Sequence, residues 1–138
     1  MPTPRRTSVL LVTSALAVST TATVAQISTA TAAHASSAQR SNKALAAPLV
    51  SARGWTRGQF GCLSLLWSRE SGWNHRAHNR YSGAYGIPQA LPGGKMASAG
   101  RDWRTNPRTQ IKWGLSYIKK RYGSPCGAWA HFQSRGWY

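Results

Sequence analysis

A mostly helical domain with at most one small strand pair is the fold class that three features of the sequence predict. The first is an apolar stripe, Phe60, Leu63, Leu66 and Trp67, whose spacings of three and four put these side chains on one helix face. The second is a longer amphipathic run, with Ile111, Leu115, Ile118 and Tyr122 on one face and Trp113 and Tyr117 alongside. The third is what lies between them. Asn74 to Gly100 is rich in Gly, Pro, Ser, Asn and His, and no parallel-sheet pattern is found anywhere in the chain.

Taken in order, the chain opens like a secretory leader. Arg5 and Arg6 supply the positive region and Ser8 to Val18 a short apolar one, followed by small-x-small sites at Ala30-Thr31-Ala32 and Ala33-His34-Ala35. The apolar run is too short, and too interrupted by Ser and Thr, for a membrane span of about 20 residues. Residues 1–35 are therefore expected to be a signal peptide, cleaved after Ala35 or after Ala32, and the protein to be secreted. Residues 36–52 lack aromatics and show little periodicity, which predicts a linker or disordered arm. Every Trp, Tyr and Phe lies from Trp55 onward, so one folded domain is expected over residues 53–138.

Within that domain the first helix is expected over Trp55 to Glu70, stopped near Gly72. The Gly/Pro-rich stretch that follows reads as a long substrate loop, since loops of this length in small domains are usually functional. Thr105-Asn106-Pro107 is a helix start, with a capping residue ahead of a first-turn proline, and Gly123 and Pro125 end that helix. Trp113 and Ile118 are assigned to its core face. A short third helix over Gly127 to Phe132 precedes an aromatic tail, Gly136-Trp137-Tyr138.

Charge and cysteines narrow the function. Eighteen Lys and Arg against two acids give a net charge of +16, which predicts attraction to polyanions and salt-sensitive binding. For an exported chain the abundant polyanions are wall polymers and lipid headgroups, and nucleic acid is not expected as a partner. Lys119-Lys120-Arg121 is the longest basic run, which reads as a solvated helix end rather than a binding motif. Export also makes Cys62 and Cys126 an expected disulfide, restricting the unfolded chain by about 4 kcal/mol in the loop-entropy model.

The two acids are Glu70 and Asp102. Glu70 is the next step on the Phe60–Trp67 stripe, where partial desolvation would raise its pKa and leave a carboxylic acid able to donate a proton near neutral pH. The position also allows a solvated surface glutamate, or one paired with an arginine and so lowered in pKa. Asp102, in Gly-Arg-Asp-Trp-Arg, reads as a local cap or as an ion-pair partner of Arg101 or Arg104. A Ser/His/Asp hydrolase would have to use it, and no Gly-x-Ser-x-Gly elbow is present. His75, His78 and His131 have no carboxylate or cysteine partner to complete a metal site, so neither metal nor cofactor is expected. Glycoside cleavage normally uses two carboxylates. A single one suffices when it protonates the glycosidic oxygen and then takes a proton from a hydroxyl of the same sugar, which closes on the anomeric carbon without water.

The motifs around Glu70 carry a family resemblance. Glu70-Ser71-Gly72-Trp73-Asn74, Asn79 and then Ser82-Gly83-Ala84-Tyr85-Gly86-Ile87-Pro88-Gln89 resemble the soluble lytic transglycosylases of the lysozyme-like superfamily, whose signature is a Glu-Ser pair followed by Gly-Ala-x-Gly-x-x-Gln. Asn106-Pro107 and Gly114-Leu115-Ser116-Tyr117-Ile118 look like that family's third motif. The resemblance implies an α+β lysozyme-like fold, with Glu70 as the single acid/base on a helix end. It implies that Ser82 and Gln89 line the sugar site, that the Gly83 and Gly86 backbone shapes it, and that Tyr117 hydrogen-bonds Glu70. Two departures stand out. Pro88 replaces the usual Met before Gln89, and Ala128-Trp129-Ala130-His131-Phe132 replaces a closing Ala-Tyr-Asn-Ala-Gly segment.

The function so implied is cleavage of the β-1,4 bond between N-acetylmuramic acid and N-acetylglucosamine in peptidoglycan, by a monomer held to the wall partly through its anionic polymers. The alternatives are a hydrolytic muramidase and a non-catalytic cationic wall-binding or aggregation-promoting protein, in which Trp73, Tyr81, Tyr85 and Trp103 would stack on sugars. A cationic membrane-active protein is a further one.

Overall fold

The computed structural model describes residues 22–138, with side chains described from residue 30. Four α-helices follow one another: α1 (Ala22–Ser51), α2 (Arg57–Ser71), α3 (Pro107–Tyr122) and α4 (Pro125–Arg135), with a 3-10 helix at Gly93–Ser98 between α2 and α3. The expected strand pair is reduced to two isolated antiparallel bridges, His78 with Tyr85 and Tyr85 with Ala90. The Arg5-Arg6 and Ser8–Val18 parts of the expected leader lie outside the described residues. Among the described residues, no helix is long and apolar enough to cross a membrane.

Each core helix starts and stops on local chemistry. Thr56 caps α2 by accepting from the Gln59 N–H, Asn106 caps α3 by accepting from the Arg108 N–H, and Ser124 caps α4 by accepting from the Gly127 N–H. Proline occupies the first turn of α3 and of α4, where its missing N–H costs nothing. At the far end of α2, Gly72 takes a left-handed conformation and its N–H donates to Ser68 O.

The segment expected to be a linker is instead the last part of α1. Asn42, Ala46, Leu49 and Val50 are buried, and their spacings of four, three and one trace a single helical stripe. Small side chains and Pro48 mask that stripe in the sequence. The folded body therefore begins before residue 53. Ala30 to Ala35, around the expected cleavage sites, are all exposed, so the packed part of α1 lies beyond them.

Helices α2 and α3 each pack against both α1 and α4. Leu63, Leu66 and Trp67 from α2 meet Ile111, Leu115 and Ile118 from α3, with Ala128 from α4 and Ile87 from the loop completing the core. Trp67 fills the space between α2 and α3. A Cβ at Gly114 would lie 2.6 Å from its ring, so only glycine lets α3 receive it. Trp113 is not in this core. It is half-buried and stacks on Tyr117 with ring centroids 5.2 Å apart.

Cys62 on α2 and Cys126 on α4 form the expected disulfide, with Cα atoms 5.0 Å apart. Beside it the Cys126 N–H donates to Gln59 Oε1. The bridge closes a separation of 64 residues. Replacing both cysteines by serine should lower stability by about 4 kcal/mol on loop entropy, and urea unfolding of the two chains measures that difference directly.

Candidate active site

Glu70 is the penultimate residue of α2, and the backbone around it is tied on three sides. The Ser71 hydroxyl donates to Ile87 O at 2.8 Å, fastening the helix end to the loop opposite. Trp73 follows with φ +63, an uncommon value for a large side chain, held by its surroundings. Its ring packs edge-on against Trp67 at 5.2 Å, its indole N–H donates to Ser64 O, and its carbonyl accepts from Asn42 of α1.

The carboxyl of Glu70 is half-buried, and burial raises its pKa to about 7. No neighbouring cation offsets this, despite the basic composition, because Arg69 and Arg76 on either side are exposed to solvent. Asp102 behaves differently. Its oxygens accept from Asn106 Nδ2 and Thr109 Oγ1, both at 2.7 Å, which lowers its pKa and locks it to the start of α3. The expected ion pair with Arg101 or Arg104 is absent. Asp102 is occupied with structure, away from the Glu70 groove.

Glu70 faces a groove of about 420 Å³, whose walls include Asn79, Ser82, Ala84, Gln89 and Leu91 from the loop and Gly136, Trp137 and Tyr138 from the tail. The loop wall is built from short-range bonds. Asn79 Oδ1 accepts from the N–H groups of Tyr81 and Ser82, and Ser82 Oγ accepts from the Ala84 N–H. Gln89 has φ +53, and its Nε2 donates to Gly86 O and Ala77 O, which leaves Oε1 as an acceptor for a ligand.

Behind this wall stands Gln110, fully buried on α3, to which composition and spacing gave no clue. Its Oε1 accepts from the Ile87 N–H, and its Nε2 donates to His75 O and Trp103 O. Gly86 exists for this contact. It has φ +76 and a Cβ there would sit 2.5 Å from Gln110 Oε1. Gly86 thus sets the loop from behind rather than touching the groove, and Gly83, with φ +81, turns the exposed tip that carries Ser82.

Glu70, Ser82 and Gln89 are therefore brought together, whereas Tyr117 is not. Tyr117 makes no hydrogen bond to Glu70. It stacks on Trp113 and lines a neighbouring hollow with Gln89, Leu91 and Tyr138. The phenol beside Glu70 belongs to Tyr138, whose hydroxyl accepts from Trp67 Nε1 and donates to Pro88 O, each at 2.8 Å. Burial first, and the Glu70 charge second, push the Tyr138 pKa well above that of a free phenol. Trp137 lies on the same wall, half-exposed, with its edge against His131 at 4.6 Å. The Gly-Trp-Tyr tail was visible in the sequence, but nothing in its composition says that it folds back to α2.

The other aromatics take varied places. Trp73 is buried, Tyr85 donates to Arg104 O and packs on Trp103, and Tyr81 alone is fully exposed. His75 pairs with the Asn42 amide across Nδ1, and its pKa is lowered by burial and by Arg76.

The family model described as "Transglycosylase SLT domain" matches residues 59–133, which run from the first turn of α2 through most of α4. Comparisons with curated proteins and with solved structures return no match. With more than half of its length matched, the chain belongs to the transglycosylase SLT family.

Proposed function

We propose that this protein is a secreted lytic transglycosylase that cleaves the β-1,4 bond between N-acetylmuramic acid and N-acetylglucosamine in peptidoglycan, with Glu70 as the single acid/base. The observation that carries the reading is the solitary acid. Glu70 lines the groove with its pKa raised to about 7, and the chain's other carboxylate is bonded into the start of α3.

A protonated Glu70 gives its hydrogen to the glycosidic oxygen as the bond to the anomeric carbon breaks, releasing the C4 hydroxyl of the departing sugar. The resulting carboxylate takes the proton from the C6 hydroxyl of the remaining muramoyl residue. That oxygen closes on its own anomeric carbon, leaving a 1,6-anhydro end and a reprotonated Glu70. One bond breaks, one forms, and no water enters. A second carboxylate to hold a water or serve as nucleophile is unnecessary, which suits a groove holding only one. The Gln89 and Ser82 side chains orient the polar sugar, and Tyr138 walls Glu70 from bulk water. Export by a leader cleaved after Ala35 or Ala32 brings the chain to this substrate, and its surplus positive charge holds it near anionic wall polymers.

Digestion of purified wall in oxygen-labelled water should give unlabelled 1,6-anhydro products. Labelled reducing ends would make the enzyme a hydrolase instead. Glu70→Gln should lower the rate at which a wall suspension clears by at least about 100-fold, and undiminished clearing would remove Glu70 from the chemistry. Activity should fall as pH rises through about 7, where the donor ionises. Stability follows the same group. Above the ordinary value of 4.5 the unfolded glutamate ionises while the folded one holds its proton until about pH 7, so its burial destabilises the fold progressively across that interval. Glu70→Gln should therefore melt higher than the parent at pH 8, and the difference should shrink toward pH 4 in thermal scans.

A further inference from the structure

We propose that the hollow between the end of α1, the 3-10 helix and α3 is a second binding site, in which Arg53 and Lys112 hold the phosphodiesters of an anionic wall polymer. The inference rests on the wall-directed reading and adds to it a place where the chain is held while Glu70 acts elsewhere.

The hollow measures about 440 Å³, and none of the residues that line it lines the Glu70 groove. Arg53 is fixed on its rim. Its Nη1 donates to Leu49 O at 3.2 Å, and its Nη2 donates to Ser116 Oγ at 3.3 Å and to Lys112 O at 3.4 Å. All three acceptors are neutral, and two of the five guanidinium N–H groups are left over. Burial lowers the Arg53 pKa, and neither of the chain's two acids lines the hollow. Asp102 reaches Lys112 only through its field, since its oxygens are bonded to Asn106 and Thr109. A guanidinium held in place, partly desolvated and without a counter-charge, is prepared for an oxyanion.

Arg53 also completes a row. Arg108, Lys112, Ser116 and Lys120 recur every four residues on the exposed face of α3, about 6 Å apart. The one neutral step is Ser116, and Arg53 stands there, bonded to its hydroxyl. Cations from two elements therefore run in file for about 18 Å.

That arrangement selects the partner. A file of cations suits a flexible chain with evenly repeating phosphates, whereas a lone ion needs only one of them. A bilayer is a poor fit. The exposed large apolar side chains, Leu65, Tyr81, Leu91 and Trp137, are all absent from the hollow, so none of them enters a lipid interface there. Nucleic acid needs open rings for its bases, and the one ring in the hollow, Trp113, is half-buried and stacked on Tyr117.

The test measures binding of purified polyglycerol phosphate by calorimetry. The parent should bind it, and Arg108→Gln combined with Lys112→Gln should weaken binding by about tenfold, the size of two exposed ion pairs. Both side chains are exposed, so this variant keeps the fold. Arg57→Gln combined with Arg135→Gln removes the same charge from exposed positions outside the row and should change affinity by less than about twofold. Equal losses in the two double variants would reduce the site to unspecific attraction and overturn it, as would a parent that binds no polymer. A loss in the first variant that is larger for single-stranded DNA, or for phosphatidylglycerol vesicles, than for the polymer would assign the row to nucleic acid or to membrane instead. Clearing of wall separates this site from the catalytic reading. On wall stripped of its phosphate polymers by hydrofluoric acid, parent and first variant should clear equally. On untreated wall the parent should be faster, and equal rates there would overturn the site as a holdfast. If the parent clears neither wall, the transglycosylase reading fails, and the polymer titration still decides the site.

Discussion

The carboxamide of Gln110 is the interaction on which the site depends. Residues 74–106 contain little regular structure, so their backbone groups must find partners outside a helix or sheet ladder. Gln110 supplies three of those partners from one buried side chain, reaching His75, Ile87 and Trp103. Those positions span the loop from its start to its end, so a single residue of α3 gathers it into one wall opposite Glu70. A buried amide with all its partners in place favours one loop arrangement, because any other would strand polar groups in the core.

A second constraint is electrostatic. Raising the pKa of a carboxyl in a chain of charge +16 requires that cations be kept from it, since one close arginine would reverse the shift. The chain does this by placing Glu70 between exposed arginines and surrounding it with neutral groups, namely the Tyr138 phenol, the Gln89 amide and Leu91. Desolvation therefore outweighs the long-range positive field, which is screened over about 8 Å in physiological salt.

Much of this was legible beforehand, for identifiable reasons. Helices α2 and α3 announce themselves because large apolar side chains recur at helical spacing between strong caps, and Cys62 and Cys126 could pair only with each other. Glu70 was legible because acids are so scarce that its place on an apolar stripe stood out. The end of α1 was missed because Ala46, Leu49 and Val50 make a weak stripe beside a proline. Tyr138, to which no role was assigned, stands beside Glu70 where Tyr117 was expected, because chain folding, through the Trp67 and Pro88 bonds, and not local pattern brings the tail there. Gln110 was invisible for a related reason. A polar residue on a helix reads as surface until the loop that needs it is seen in place.

The Asn42 amide spans from α1 to Trp73 O and His75 Nδ1, just past the catalytic candidate. Residues 30–35 are exposed. A protease trimming the chain from its amino end therefore meets a boundary. As far as Ala35 it removes exposed residues, but Gln39 already lies beside the end of α2, its Nε2 3.5 Å from where a Cβ on Gly72 would sit. Past Ser41, the clasp that steadies the turn after α2 is lost with Asn42.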